Sequence, residues 1–382
     1  MAMLELKAGI KELLSIAREK GASDLHLLVN NPPVIRIDGN LFPLGDYPEL
    51  LPEDTHSIFQ LITSDDQQQL FKVNRELDYS LEIPEISRVR VNVSLQRDSI
   101  SFVFRLIPLK VPTFQELGLP EICKGLATLS KGLVLVTGPT GAGKSSTLAA
   151  MLNYLNQRAG KKIITIEDPI EYVFPRGKCL ISQRQLGTDT NSFHDAIKHA
   201  LRQDPNVIMI GEMRDLETVS NALTAAETGH LVLSTLHTRG AAASISRIID
   251  VYPSPQQLTV RTQLANVLQG VISQTLQHRA DGKGRVAAFE VMVATPAIRT
   301  LIREDKVAQI QGYIDSGQNE GMISMKQSLG KLLLAGVITE GEATSVAPSV
   351  KEAEVKTRDP FAFSDTTRGK YTPFTSGIVP QP

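Results

Sequence analysis

The stretch GLVLVTGPTGAGKSS, residues 132–146, constrains this chain more than any other. An apolar, β-branched run ends at Thr137, a glycine-rich turn follows, and a helical pattern opens at Ser145. The turn carries G-x-x-x-x-G-K-S at Gly138, Gly143, Lys144 and Ser145, in the strand–turn–helix context that such a loop requires. Glycines let backbone N–H groups approach phosphate oxygens, and the helix N-terminus adds the positive end of its dipole. Gly138, Pro139, Thr140, Gly141, Ala142, Gly143, Lys144, Ser145 and Ser146 are therefore expected to cradle the phosphates of a nucleoside triphosphate. Lys144 is expected to reach the β- and γ-phosphates, and Ser145 a Mg²⁺ ion. A loop of this kind belongs to an α/β sheet.

The flanking sequence keeps that pattern. From about Phe114, KKIITIED, NVIMIGE and LVLSTL read as strands, alternating with helices over 192–203 and 216–228. Strand–helix alternation marks a mainly parallel sheet. Helical segments are expected to dominate from Gln256 onward. The preceding segment differs. A helix over 3–20 leads into short strands with an Asp38–Gly39 turn, a polar helical stretch at about 53–72, and a three-strand meander. In that meander Val89, Val91 and Val93 share one face, with Phe102, Phe104 and Leu106 pointing the same way on the next strand. Arg88, Arg90 and Arg105 then stand on the opposite face. The reading is a small α+β unit over 1–112, an α/β unit over 113–345, and a polar, Pro/Ser/Thr-rich tail over 346–382 expected to be disordered.

In open α/β sheets, ligands gather at the C-terminal ends of the strands. Glu212, after NVIMIG, and Glu167, closing ITIE, stand at two such ends. Glu212 is the favoured residue to orient an attacking water or touch the metal shell, although Gly211 occupies the place where an aspartate usually precedes it. The strand LVLSTL has His230 at one end and His237 at the other. Extended at about 3.3 Å per residue, it holds them ~23 Å apart, so they cannot share a metal. His237 is expected beside the γ-phosphate; His230 is expected to link the far end to a loop or a neighbouring subunit.

Composition narrows the class. A net charge of −1 gives no general basic field, so no nucleic-acid partner is expected. Cys123 and Cys179 cannot build a disulfide framework or a four-cysteine zinc site. No run reaches the ~18 apolar residues of a spanning helix, so any membrane association is expected to pass through a partner rather than by insertion.

The segments GPTGAGKSS, ITIEDPIEY, LRQDPNVIMIGEMRDLET and AAETGHLVLSTLHT together resemble the ATPases of type II secretion and type IV pili. In that family they are the Walker A, Asp box, Walker B and His box segments, the last including His230 among the nucleotide-site residues. The similarity spans about residues 5 to 340. The absent cysteine zinc motif, the short chain and AIRTLIRE at 297–304 resemble the pilus-retraction branch. The resemblance implies a PAS-like N-terminal domain, a RecA-like ATPase domain and a homohexamer hydrolysing ATP with Mg²⁺ between subunits. It implies a cytoplasmic location at the inner membrane, an inner-membrane pilus platform protein as partner, and a related accessory ATPase as a second one. It also gives the arginine face a purpose, with Arg90 and Arg105 as candidates to stabilise transition-state charge from a neighbouring subunit. An accessory retraction ATPase, an assembly or secretion ATPase and a nucleic-acid translocase are the rival functions.

Overall fold

The computed structural model describes residues 2–37, 39–83, 87–107 and 110–347. Asp38 and the chain from 348, which holds almost all of the expected tail, lie outside the described residues.

The chain opens with α1 (Ala2–Glu19), β1 (Asp24–Leu27), β2 (Val34–Ile37), β3 (Asn40–Pro43), α2 (Pro52–Ile62), α3 (Asp65–Asn74), β4 (Glu76–Ile83), β5 (Ser87–Gln96) and β6 (Ser99–Ile107). The strands form a six-stranded sheet in the order β3-β2-β1-β6-β5-β4, antiparallel throughout. The hairpin expected near residue 39 is present: Ile37 pairs with Asn40, and Gly39 has φ 87°. The period-two pattern sorts the faces. Val89, Val91, Val93, Phe102 and Phe104 are buried against Leu14, Ile58, Phe59 and Phe71 of the helices. Arg88, Arg90 and Arg105 emerge on the other face, as expected for a sheet covered by helices on one side.

The chain continues through α4 (Phe114–Leu117), α5 (Ile122–Ala127), β7 (Gly132–Thr137), α6 (Lys144–Asn156), β8 (Lys162–Glu167), β9 (Leu180–Gln185), α7 (Phe193–Ala200), β10 (Val207–Ile210), α8 (Leu216–Glu227), β11 (Leu231–Leu236), α9 (Ala241–Asp250) and α10 (Ser254–Val267). It ends in β12 (Leu268–His278), β13 (Arg285–Val293), α11 (Pro296–Arg303), α12 (Ile310–Ser316), α13 (Met325–Leu334) and α14 (Glu340–Val346). A seven-stranded sheet runs β13-β12-β7-β11-β10-β8-β9. Its ladders are parallel except for the antiparallel β12–β13 pair. Helices cover both faces, which explains why its strands read as unbroken apolar runs. Leu133, Leu135, Ile164, Ile208 and Val232 pack towards α7–α11 on one face. Val134, Val136, Ile163, Met209 and Leu233 pack towards α5 and α6 on the other.

Two features depart from the sequence reading. The region after Gln256 is not mainly helical at first: α10 passes directly into the β12–β13 hairpin, with Leu268 already extended. This hairpin carries Ser273, Gln274, Gln277 and Glu290, all buried, so its apolar pattern is interrupted. The edge strand β9 has an equally weak signal, because its SQRQ run is polar and only partly buried.

The two sheets meet at the end of β9. Gln185 Oε1 accepts hydrogen bonds from Ser80 Oγ at 3.0 Å and Arg88 Nη2 at 2.9 Å. This contact sets the arginine-bearing face of the first sheet over the strand ends of the second.

Candidate nucleotide site

Between the sheets lies a cleft of about 700 Å³, lined by the loop residues Thr140, Gly141, Gly143, Lys144, Ser145 and Ser146, by Glu167, Glu212 and His237, and by Arg90 and Arg105. The parallel ladder brings these groups together, because β7, β8, β10 and β11 all end on the same side.

The loop closes tightly on itself. Gly138, at φ 145°, lies so close to β12 that a Cβ there would stand 2.2 Å from the carbonyl oxygen of Gln274. Gly143, at φ 87°, is the N-cap of α6 and turns the chain into the helix. Lys144 is 8% exposed and folds over the loop, its Nζ donating to the carbonyls of Gly138 and Pro139 at 3.0 Å each. Burial lowers its pKa, opposed by Glu212 and Glu171.

Lys144 Nζ also stands 3.3 Å from His237 Nδ1. An ammonium has only donors, so Nδ1 is assigned as the acceptor, which leaves Nε2–H to donate to Glu212 Oε1 at 3.0 Å. Arg214 holds the other Glu212 oxygen at 2.8 Å. Lys144, His237, Glu212 and Arg214 thus form one polar chain across the mouth of β7, β11 and β10. Burial of Glu212 disfavours its charge, but the bonds from Arg214 and His237 outweigh it and hold the carboxyl below its usual range.

Glu167 has a different setting. It is 8% exposed, with Thr165 Oγ1 at 2.6 Å and Gln183 Nε2 at 3.1 Å both donating to its Oε1. Burial dominates those bonds and raises its pKa. Gly211 is explained by packing. A Cβ there would come within 3.3 Å of the Ile166 carbonyl oxygen and 3.4 Å of Glu167 Cα, so an aspartate would press on the neighbouring strand.

Arg105 is oriented by the buried Asp24, whose Oδ1 lies 2.9 Å from its Nε, while most of the Arg105 side chain remains exposed to the cleft. Arg90 sits 3.7 Å from Asp78. Both line the cleft of their own protomer, where the resemblance implies a neighbour's. Sequence reasoning missed Arg285 of β13, which lines the same cleft, and Arg214, the partner of Glu212. It also missed Tyr172, whose hydroxyl lies 2.7 Å from Ser146 Oγ. Arg214 and Tyr172 sit inside the GEMRD and EDPIEY segments, where a signal exists; Arg285 has no local signal.

His230 does not join this group. Its Nδ1 lies 3.0 Å from the Ala225 carbonyl and 3.2 Å from Thr228 Oγ1, so it ties off the end of α8 at the opposite edge of the sheet. The strand β11, buried along its whole length, separates it from His237.

Among the described residues, no group of three or more His, Cys, Asp or Glu is placed to hold a metal. The cleft instead offers the hydroxyl of Ser145 at the start of α6, with Glu212 and Asp168 also in its lining. That donor set suits Mg²⁺, which keeps several waters and takes its remaining oxygens from phosphates.

Comparison with known proteins gives the chain a family. The model of the type II/IV secretion system protein family matches residues 105–344. The chain is 49% identical over 338 residues to the type IV pilus retraction ATPase PilT of Pseudomonas aeruginosa, covering 88% of this chain and 98% of that one. It is 47% identical over 306 residues to a twitching motility protein of Neisseria gonorrhoeae, covering 80% and 82%. A crystal structure of the pilus retraction motor PilT with bound ADP superposes with a TM-score of 0.83 at 47% identity, covering 89% of this chain and 98% of that one. With its phosphate loop, its two strand-end carboxylates and His237 gathered in one cleft, the chain belongs to the type II/IV secretion system protein family.

Proposed function

We propose that this chain is the subunit of a homohexameric ATPase motor that drives retraction of type IV pili. The observation that carries the reading is the cleft itself, in which the phosphate loop, Glu212, Glu167 and His237 face Arg90 and Arg105 across one cavity. The relative with bound ADP, alike over nearly the whole chain, supports nucleotide as the occupant. The likeness to the retraction ATPase of P. aeruginosa supports the pilus as the load.

In this reading residues 1–112 form a PAS-like unit and residues 113–345 a RecA-like ATPase unit. The backbone amides of the loop and Lys144 bind the β- and γ-phosphates. Ser145 would hold Mg²⁺ directly and Glu212 through water, and the bound ion would supply neutralising charge to the phosphate oxygens. Glu212, ionised below the usual carboxylate range, orients the attacking water and takes up its proton. His237 responds to the γ-phosphate, since it contacts both Lys144 and Glu212. Arg90 and Arg105 stabilise the charge that develops on the transferred phosphoryl group. Closing of the first sheet onto the second completes the site, and product release reopens it. Among the described residues no helix is long and apolar enough to cross a membrane. Work would reach the inner membrane from its cytoplasmic face, through the pilus platform protein, with a related accessory ATPase as a further partner.

The test is steady-state ATP hydrolysis by the purified chain at its assembled size. Turnover should require added Mg²⁺, stop with EDTA, and coincide with a hexamer by light scattering. A monomer that hydrolyses ATP at full rate would contradict the motor reading.

A further inference from the structure

We infer that Gln274 of β12 is a positioning residue for the phosphate loop. It is 2% exposed, in a strand whose neighbours Val271 and Ile272 are wholly buried. A primary amide so placed must have partners for both ends. They are found in the loop and the helix that follows it. Gln274 Nε2 donates to the carbonyl of Ala142 at 2.5 Å, and Gln274 Oε1 accepts from Thr147 Oγ1 at 2.7 Å. One side chain thereby fixes the last peptide before Gly143 relative to the first turn of α6.

The surrounding glycines belong to the same arrangement. A Cβ on Gly138 would meet the Gln274 carbonyl oxygen at 2.2 Å, and a Cβ on Gly143 would lie 3.2 Å from Gln274 Nε2. Both glycines of the motif are therefore packed against this one residue. With the Ala142 carbonyl held by Gln274 on the sheet side, the amides that follow it are left to face the cleft. The neighbouring residue serves the other nucleotide-facing loop: Ser273 Oγ accepts from Gly240 N at 2.9 Å, just beyond His237. Alternation along β12 thus sends successive side chains to the two loops. The strand is outside the family's sequence boxes, and its function comes from these contacts.

This inference rests on the loop being a nucleotide site, and the experiment separates the two. Affinity for a fluorescent N-methylanthraniloyl derivative of ADP is measured in EDTA, on the full chain. A parent that does not bind the probe overturns the nucleotide reading itself. With a binding parent, Gln274→Met should weaken affinity about tenfold or more, because the carbonyl loses its donor and the threonine its acceptor. KM for ATP should rise by more than kcat at saturation falls, while the melting temperature without nucleotide falls by roughly 2–10 °C and the variant stays folded at the assay temperature. If the single variant does not fold, Gln274→Met with Thr147→Val replaces the glutamine–threonine pair by apolar groups and removes the threonine's share of the cost, leaving the Ala142 carbonyl as the one unpaired group. That pair should still bind weakly, since the Ala142 carbonyl remains without its donor. Affinity within twofold of the parent in a folded variant would overturn the role of Gln274.

Discussion

Glu212 and Glu167 stand at the ends of neighbouring strands, yet their surroundings push them in opposite directions. Arg214 and His237 hold the Glu212 pKa below its usual range, whereas burial raises that of Glu167. Replacing Glu212 by Gln should lower kcat by about 10²–10⁴-fold with nucleotide affinity near the parent's, since the isostere keeps shape and loses the proton acceptor. Single-turnover hydrolysis against equilibrium binding measures this. Glu167 makes a prediction about stability. Its folded pKa lies above the unfolded value, so its contribution is complete below about 4.3, the ordinary glutamate range, and declines as pH rises through the raised value. The melting temperature of Glu167→Gln should therefore vary less with pH over that window than the parent's. An equal slope would mean that the Glu167 pKa is not raised by folding. At this scale the sequence is most legible where chemistry is local: the loop, Glu212 and His237 follow from motif and strand end. Gln274 and Arg285 are not legible, because their partners lie far along the chain and only the hairpin pairing brings them to the cleft.

The elements carry their own tests. Helix α11 opens with Thr295 accepting from Ile298 N and Pro296 in the first turn. Its apolar stripe is Ile298, Leu301 and Ile302, and Ala297 is exposed. Arg299 is half-buried and caps the C-terminus of α10, donating to the carbonyls of Ala265 and Asn266 and to Gln269 Oε1. A cation there also complements the helix dipole. Arg299→Ala should cost about 1–3 kcal/mol, read from the urea midpoint. The exposed Arg303→Ala should cost less than about 0.5 kcal/mol. Arg105 joins an element to the site. Its loss removes the ion-pair partner of the buried Asp24 as well as a cleft cation. Arg105→Ala should lower turnover by about 10³-fold with binding little changed. Pairing it with Asp24→Asn restores stability but not turnover, and unchanged turnover would remove Arg105 from the mechanism. Period-two alternation makes the inner and outer faces of β5 and β6 readable from the amino-acid order alone. The β12–β13 hairpin resists such reading because its buried polar residues look like a loop unless their hydrogen-bond partners are known.

At the scale of the whole molecule, the two sheets and the cleft between them make a machine only if closing one on the other is coupled to the nucleotide. Gln185, which joins Ser80 and Arg88 to the end of β9, is the contact through which that closing would be felt. Retraction is the central claim, and surface pili report it most directly. Pili should be counted in the native host after deletion of this gene, and again after complementation with the parent or with Glu212→Gln. The account predicts excess pili and lost twitching in the deletion strain, rescue by the parent, and no rescue by Glu212→Gln. Cells bald of pili after deletion would contradict it and make the chain an assembly motor.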